Sequence, residues 1–249
     1  MQAVILLAGY GSRLNRPDLP HKSLLPFGNE TLLSRHLCCL QELKVANVRL
    51  VLGHNKEQVK AYVRDLDPGL PLQFVDNDRY LTTGNTLSMV MGLRGCEGDV
   101  LVLDGDVLYP RGVFQNFVQC SPSSSFALAP VDIDNEEASK VLLKPSGTIQ
   151  AFITKRRFTA EEKNGFQFGG EAIGFFKLSG EDQGRFLSLY SREESRYEKA
   201  LWEIPLTDFA REVDLHPWDI AEKGCFEIDT PEDYEQARAF FESHRQQYV

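Results

Sequence analysis

The run Val4-Ile5-Leu6-Leu7, passing directly into Ala8-Gly9-Tyr10-Gly11, constrains the fold more than any other segment. Four consecutive apolar residues suit a strand covered on both faces, as in a parallel sheet lying between layers of helices. In open sheets of that kind ligands bind beyond the carboxyl ends of the strands, where Gly9 and Gly11 stand. Without a Cβ at either position the backbone can turn sharply, and the amides of Ala8 to Ser12 can approach phosphate oxygens closely. Arg13 and Lys22 add fixed positive charge behind the loop.

Two familiar phosphate loops do not fit this spacing. A dinucleotide fingerprint would want a third glycine where Leu14 stands, and a Walker loop would want its lysine directly after the last glycine, whereas Lys22 lies eleven positions beyond Gly11. Taken alone, the loop also reads as a plain strand-to-loop turn with no ligand.

The rest of the first half alternates regularly. A strand over 2–8 precedes a helix near 31–43, in which Leu32, Leu33, Leu37, Leu40 and Leu43 recur at helical spacing. A strand at 48–53, a helix at 56–65, a strand at 72–76, a polar segment 77–84, a helix to about 94 and the apolar strand 100–103 follow. This succession predicts an α/β fold: a single-domain, Rossmann-like, doubly wound and mostly parallel sheet. Short strands near 125–131, 140–144, 149–153 and 168–178 predict a small antiparallel extension covering the site. Helices are expected at 180–191 and 196–211, strands near 213–216 and 225–228, and a closing helix capped by Thr230, with Pro231 and Asp233 behind it. The expected organisation is one domain over 1–249, with a nucleotide-binding half to about 120 and an acceptor-binding half beyond it.

Composition narrows the partners. A net charge of −9 argues against DNA, RNA or an acidic membrane, because binding a polyanion normally needs a basic face. No apolar run approaches the ~20 residues that span a bilayer, and no basic cleavable leader is visible, so a cytoplasmic location is expected. Cys38, Cys39, Cys96, Cys120 and Cys225 lack C-x-x-C spacing, which indicates neither a disulfide framework nor a zinc site. They are expected to be reduced and mostly buried.

Three further segments carry candidate chemistry. Asp104-Gly105-Asp106 ends a buried strand at the same sheet edge as the glycine loop, and carboxylates there suit Mg²⁺. An Asp at a strand end is otherwise a common turn or cap residue. Glu227-Ile228-Asp229-Thr230-Pro231 repeats the pattern, with Asp229 just outside the helix that Thr230 caps. The polar stretch from Asp76 to Ser88 leads into a helix and offers side chains that could hydrogen-bond a base or sugar, or merely cap that helix.

Together, Leu-Ala-Gly-x-Gly-Ser-Arg-Leu, His21-Lys22-Ser23-Leu24-Leu25-Pro26-Phe27-Gly28, Gly105-Asp106-Val107 and Glu227-Ile228-Asp229-Thr230 resemble the nucleotidyltransferases that join a nucleoside triphosphate to a phosphorylated metabolite. The resemblance runs from Ala3 to about Ala239 and implies the nucleotide-diphospho-sugar transferase fold. Asn77, Asn85, Ser88, Asn135-Glu136-Glu137, Lys140-Val141, Gly170-Glu171-x-Ile173-Gly174 and Tyr197-Glu198-x-Ala200-Leu201 look most like the choline-phosphate and 2-aminoethylphosphonate cytidylyltransferase branch.

The resemblance implies roles for individual residues. Lys22, Arg13, Asp106 and Asp229 would be catalytic, with Asp106 and Asp229 ligating Mg²⁺. Leu7, Ala8, Gly9, Gly11, Ser12, Asn77, Thr83, Gly84 and Asn85 would bind the nucleotide, CTP in that branch. Lys155, Glu171, Tyr197 and Glu198 would contact a small phosphorylated or phosphonate acceptor, and a homodimer is plausible. His21 departs from the proline that often precedes the family's lysine, and Asp104 is less secure as a ligand than Asp106. Choline phosphate would call for an aromatic cage and a primary amine for carboxylates; the residue pattern leaves both open. A sugar-1-phosphate enzyme using UTP or GTP, and a silent nucleotide-binding relative, remain alternatives.

Overall fold

The structure is a computed structural model that describes residues 1–14, 21–220 and 224–248. Residues 15–20, between Leu14 and His21-Lys22, lie outside the described residues. Strand β1 (Gln2–Leu7) leads to a small hairpin, β2 (Pro26–Phe27) and β3 (Glu30–Thr31), then α1 (Leu32–Glu42), β4 (Val48–Leu52), α2 (Lys56–Leu66), β5 (Leu72–Asp76), α3 (Asn85–Leu93) and β6 (Val100–Asp104). Next come β7 (Val107–Leu108), α4 (Arg111–Cys120), β8 (Ser125–Ala129), β9 (Lys140–Leu143), β10 (Ile149–Ile153), α5 (Ala160–Gly165) and the long β11 (Gln167–Leu178). The described chain finishes with α6 (Gly180–Arg192), α7 (Glu194–Tyr197), α8 (Glu203–Phe209), β12 (His216–Asp219), β13 (Phe226–Glu227), α9 (Pro231–Ser243) and α10 (Arg245–Tyr248).

The main sheet runs β10-β9-β11-β6-β1-β4-β5. β1 pairs parallel with both β4 and β6, and β4 pairs parallel with β5, so the apolar run Val4–Leu7 is covered as its composition requires. Alternate side chains of β1 enter different cores. Val4 joins α3, α6 and α8 on one face, while Ala3, Ile5 and Leu7 join α1, α2 and α4 on the other. From β1 the chain winds outward through β4 and β5, then returns to β6 on the opposite side of β1. That reversal is the topological switch point, and it lies where the glycine loop and Asp104 emerge.

Antiparallel pairing begins at β11, whose carboxyl half pairs with β6 and whose amino half pairs with β9. β8 lies along its other edge. This is the expected antiparallel extension, and it continues the sheet beside the strand ends that carry the site.

Beyond the short elements β2, β3, β7, α5 and α10, which the sequence pattern does not announce, two longer stretches differ from expectation. Helix α4 has no counterpart in the sequence reading, although Val113, Phe114, Phe117 and Val118 give it a buried face. The helix expected at 196–211 is broken into α7 and α8, because carbonyls that would continue it are used elsewhere. Glu198 O accepts from Gly84 N at 2.9 Å and Ala200 O from Thr86 N at 3.4 Å. The closing helix is capped as expected, with a reciprocal Thr230–Asp233 capping box and Pro231 in the first turn. All five cysteines are free; Cys39 and Cys96 are buried, but Cys120, at the solvent-facing end of α4, is exposed. Among the described residues no helix is long and apolar enough to cross a membrane.

Candidate active site

A cavity of about 560 Å³ opens at the switch point. Its floor at one end is the glycine loop, and Gly11 takes a left-handed φ of +66° that favours glycine. Lys22 reaches this floor from a single turn of 3-10 helix that starts after His21. His21 is fixed by Gln58 Oε1, which accepts from its backbone N–H at 3.1 Å, and by Ser23 Oγ, 2.9 Å from its Nδ1. Burial, with His54 nearby, lowers the His21 pKa to about 4, so the ring is neutral at pH 7 and leaves Lys22 as the charge of this turn.

The Lys22 ammonium donates to Asp106 Oδ2 and to Asp229 Oδ1, at 2.6 Å each. Arg13 Nη2 lies 2.7 Å from the other oxygen of Asp229. Burial alone would lower the lysine's proton affinity, but the two carboxylates outweigh it and hold the ammonium above its ordinary range. Residues far apart in sequence meet here through backbone pairing. Asp106 follows the end of β6, and Gly105 N donates to Leu6 O at 3.0 Å. Asp229 is brought in by β13, which pairs with β7, and by Ile228 N donating to Asp106 O at 3.1 Å. Asp233 Oδ2 then accepts from Asp229 N at 3.1 Å, so the capping box of α9 also sets the Asp229 backbone.

Farther along the cavity, among the described residues, no ion pair joins Asp104, Glu227, Glu203 or Lys155. Burial raises the Asp104 pKa well above the usual carboxylate range, and Asp106 and Glu203 add repulsion. Glu227 shifts the same way for the same main reason; it faces the open cleft yet has protein around it and Asp106 and Asp104 nearby. Glu203, 7% exposed, is raised by burial. Lys155 follows β10 with a left-handed φ of +55°. Its neighbour Arg156 turns away, bound to Glu162.

Of the residues singled out by sequence, Leu7, Ala8, Gly9, Gly11, Ser12, Arg13, Lys22, Thr83, Gly84, Asn85, Asp106, Lys155 and Asp229 line this cavity. Gly84 is there because a Cβ would come within 2.0 Å of Ala200 O. Asn85 Oδ1 accepts from Trp202 N at 2.8 Å, tying the polar loop to the segment before α8. Asn77 sits one layer behind, buried, donating to Ser88 Oγ at 3.0 Å while its own Oδ1 accepts from Arg79 N. Tyr197 is buried with its hydroxyl on Asp208 at 2.8 Å, and Glu198 accepts from Arg79 at 3.1 Å; neither lines the cavity. Glu171 is likewise outside the lining, half-buried, with its pKa raised by burial. Sequence reasoning assigned no role to Glu203, Ser139, Thr154 or Leu201, which do line it. A signal for Glu203 exists: it is the one charge in Ala200-Leu-Trp-Glu-Ile-Pro-Leu206.

A glycine loop at a switch point, facing a lysine held between two carboxylates, defines a nucleotide-handling α/β protein built for phosphoryl chemistry. The chain belongs to the MobA-like NTP transferase domain family, whose model matches residues 3–226. It is 26% identical to the CMP-5'-(3-aminopropyl)phosphonate synthase of Streptomyces rubellomurinus, across 99% of this chain and 40% of that protein. It is 33% identical to the bifunctional protein GlmU of Gloeobacter violaceus across 70% of this chain and 38% of that protein. This chain therefore spans less than half the length of either relative. The fold is shared with the CTP:phosphocholine cytidylyltransferase LicC of Streptococcus pneumoniae, with a TM-score of 0.75, 20% identity and coverage of 96% and 98% of the two chains. It is shared equally with the inositol-1-phosphate CTP transferase of T. maritima, with a TM-score of 0.74, 19% identity and coverage of 97% and 96%.

Proposed function

We propose that this protein is a Mg²⁺-dependent cytidylyltransferase that moves CMP from CTP to a small phosphorylated or phosphonate metabolite and releases pyrophosphate. The observation that carries the reading is the Lys22 ammonium between Asp106 and Asp229, 2.6 Å from each, beside the glycine loop. Family membership and the cytidylyltransferases among its relatives support it.

The donor set suits the metal. Two carboxylates from separate strand ends converge on one cationic centre, and Mg²⁺ prefers one or two such hard oxygen ligands, taking the remainder from water and phosphate. Among the described residues no cluster of three His, Cys, Asp or Glu side chains forms a fuller cage. When bound, Mg²⁺ would neutralise the triphosphate and orient it for in-line displacement.

The protein's own groups do the rest. Amides from Ala8 to Ser12 cradle the phosphates, and Arg13 meets the outer ones. Lys22, released from one carboxylate, sits against the α-phosphate and stabilises the charge that builds there. Lys155 holds the acceptor's anionic end. An oxygen of that acceptor attacks the α-phosphorus, the bond to the β-phosphate oxygen breaks, and pyrophosphate leaves. No general base is needed, because the acceptor is already an anion at pH 7.

Pyrophosphate release tests this directly, with each nucleoside triphosphate paired against choline phosphate, aminoalkyl phosphonates and sugar 1-phosphates. Release with CTP and a small phosphate or phosphonate is expected. Release only with UTP or GTP and a sugar 1-phosphate would overturn the reading in favour of the sugar-nucleotide branch.

A further inference from the structure

Lys22 stands on a very short support. In the 3-10 turn Lys22–Leu24, Leu24 N–H donates to His21 O at 2.7 Å and Leu25 N–H to Lys22 O at 3.2 Å. A turn of this length makes few hydrogen bonds of its own, in poor geometry, so side chains around it must fix it. His21 is placed to do so. Its backbone, at φ −46° and ψ 138°, is extended as in a residue that caps a helical turn. Its Nδ1 accepts from Ser23 N–H at 3.3 Å and lies 2.9 Å from Ser23 Oγ. A backbone N–H can only donate, so Nδ1 carries no proton and both Ser23 donors face one acceptor atom.

The rest of His21 ties that cap to other elements. Its backbone N–H donates to Gln58 Oε1, from the first turn of α2, at 3.1 Å. The Leu7 carbonyl, at the end of β1, acts on the ring, although Nε2 does not reach hydrogen-bond geometry. His54, whose own N–H donates to Ala8 O at 3.2 Å, lies over the ring with centroids 6.4 Å apart and planes at 28°. His21 and Ser23 are 6% and 1% exposed, so water does not compete for these bonds.

We propose that His21 is a positioning residue for Lys22: its imidazole, with Nδ1 unprotonated, clamps the lysine's turn against the end of β1 and the start of α2. On the nucleotidyl-transfer reading above, on which the kinetic consequence rests, the Lys22 ammonium leaves one carboxylate for the α-phosphate. The clamp uses the turn's backbone and Ser23 rather than the ammonium, so it holds the same before and after that exchange. A donor aimed at developing charge works through placement, and a shift of about 1 Å can cost about 10²-fold in rate. A phenyl ring would fill the same space and accept no N–H. An asparagine would accept it and restore the cap while giving up the approach to β1.

Nitrogen-15 NMR of lysine ammonium groups in the ligand-free full chain tests this without turnover, the Lys22 signal being the one lost in Lys22→Gln. The wild type should show a sharp, slowly exchanging Lys22 ammonium. His21→Phe should shift or broaden that signal, and His21→Asn should restore most of it. Gln58→Ala, at an exposed position, should displace it by less. In pyrophosphate release, His21→Phe should lower kcat about tenfold, as losing one hydrogen bond would, with the KM for CTP moving less than twofold. In a Lys22→Gln background it should lower kcat no further. A Lys22 signal missing from the wild type would overturn the clamp, as would one unmoved by Gln58→Ala, even should His21→Phe fail to fold. So would His21→Asn as defective as His21→Phe, or a full further loss in the Lys22→Gln background. A signal displaced as expected, with no transfer in any pairing of substrates, would uphold the clamp and overturn the transferase reading; transfer with the signal unmoved would do the reverse.

Discussion

The two ends of the cavity hold similar numbers of carboxylates and treat them oppositely. At the glycine loop, Asp106 and Asp229 share Lys22 and Asp229 also meets Arg13, so the charges are balanced by the chain itself. Towards Glu203, burial raises Asp104, Glu227 and Glu203, with repulsion from neighbouring carboxylates adding to the first two, and among the described residues no ion pair joins any of the three. The difference separates two kinds of pre-organisation. One end is set by internal counter-ions, and the other holds its carboxyls by burial without them.

If the balanced end performs the chemistry, Lys22→Gln should cost the most. Steady-state pyrophosphate release is expected to drop about 10²–10³-fold, the usual price of removing one transition-state donor. A loss under tenfold would break the comparison at its first term. Next, Gly84→Ala should cost about 2 kcal/mol or more in urea denaturation, since the new methyl would overlap the Ala200 carbonyl and force the polar loop off the segment before α8.

The end towards Glu203 makes a prediction of opposite sign. Because burial holds the Glu203 carboxyl above its unfolded value, its ionisation favours unfolding. Below the unfolded value both states are protonated and this cost is absent; it grows as pH rises above that value, where only the unfolded chain ionises, and is complete once pH has passed the folded value. Glu203→Gln should therefore be more stable than wild type by on the order of 1 kcal/mol at pH 8, with the gain vanishing near pH 4. Matched denaturation curves at the two pH values measure it, and a gain that grew in acid would contradict the charge assignment. Smallest of all, Tyr197→Phe should lose about 1 kcal/mol of stability through the Asp208 hydrogen bond, with the acceptor KM moving less than twofold.

Much of the balanced end was legible in the chain itself. Val4–Leu7 announces a buried parallel strand, Gly9 and Gly11 a close-approach loop, and Asp106 and Asp229 stand at strand ends beside recognisable turns. These are local signals, and parallel winding carries them to one edge. The end towards Glu203 was not legible in the same way. Glu203 faces the cavity because α7 and α8 are separate, and they separate because Glu198 and Ala200 carbonyls serve Gly84 and Thr86, more than a hundred positions earlier. Helical spacing in 196–211 could not reveal that exchange. Tyr197 and Glu198 drew attention through the same segment, but its break turns them towards Asp208 and Arg79.

The capping box of α9 fixes more than a helix end. Since Asp233 holds both the Thr230 and Asp229 amides, and Ile228 is laced to Asp106, fraying of that first helical turn would withdraw one of the two carboxylates around Lys22. On the proposed function, the readiness of the Lys22 centre is thereby coupled to the local unfolding equilibrium of a segment over two hundred residues away from the glycine loop. Amide exchange at Asp229 and Thr230 would report, in the resting protein, what fraction of molecules is ready to react.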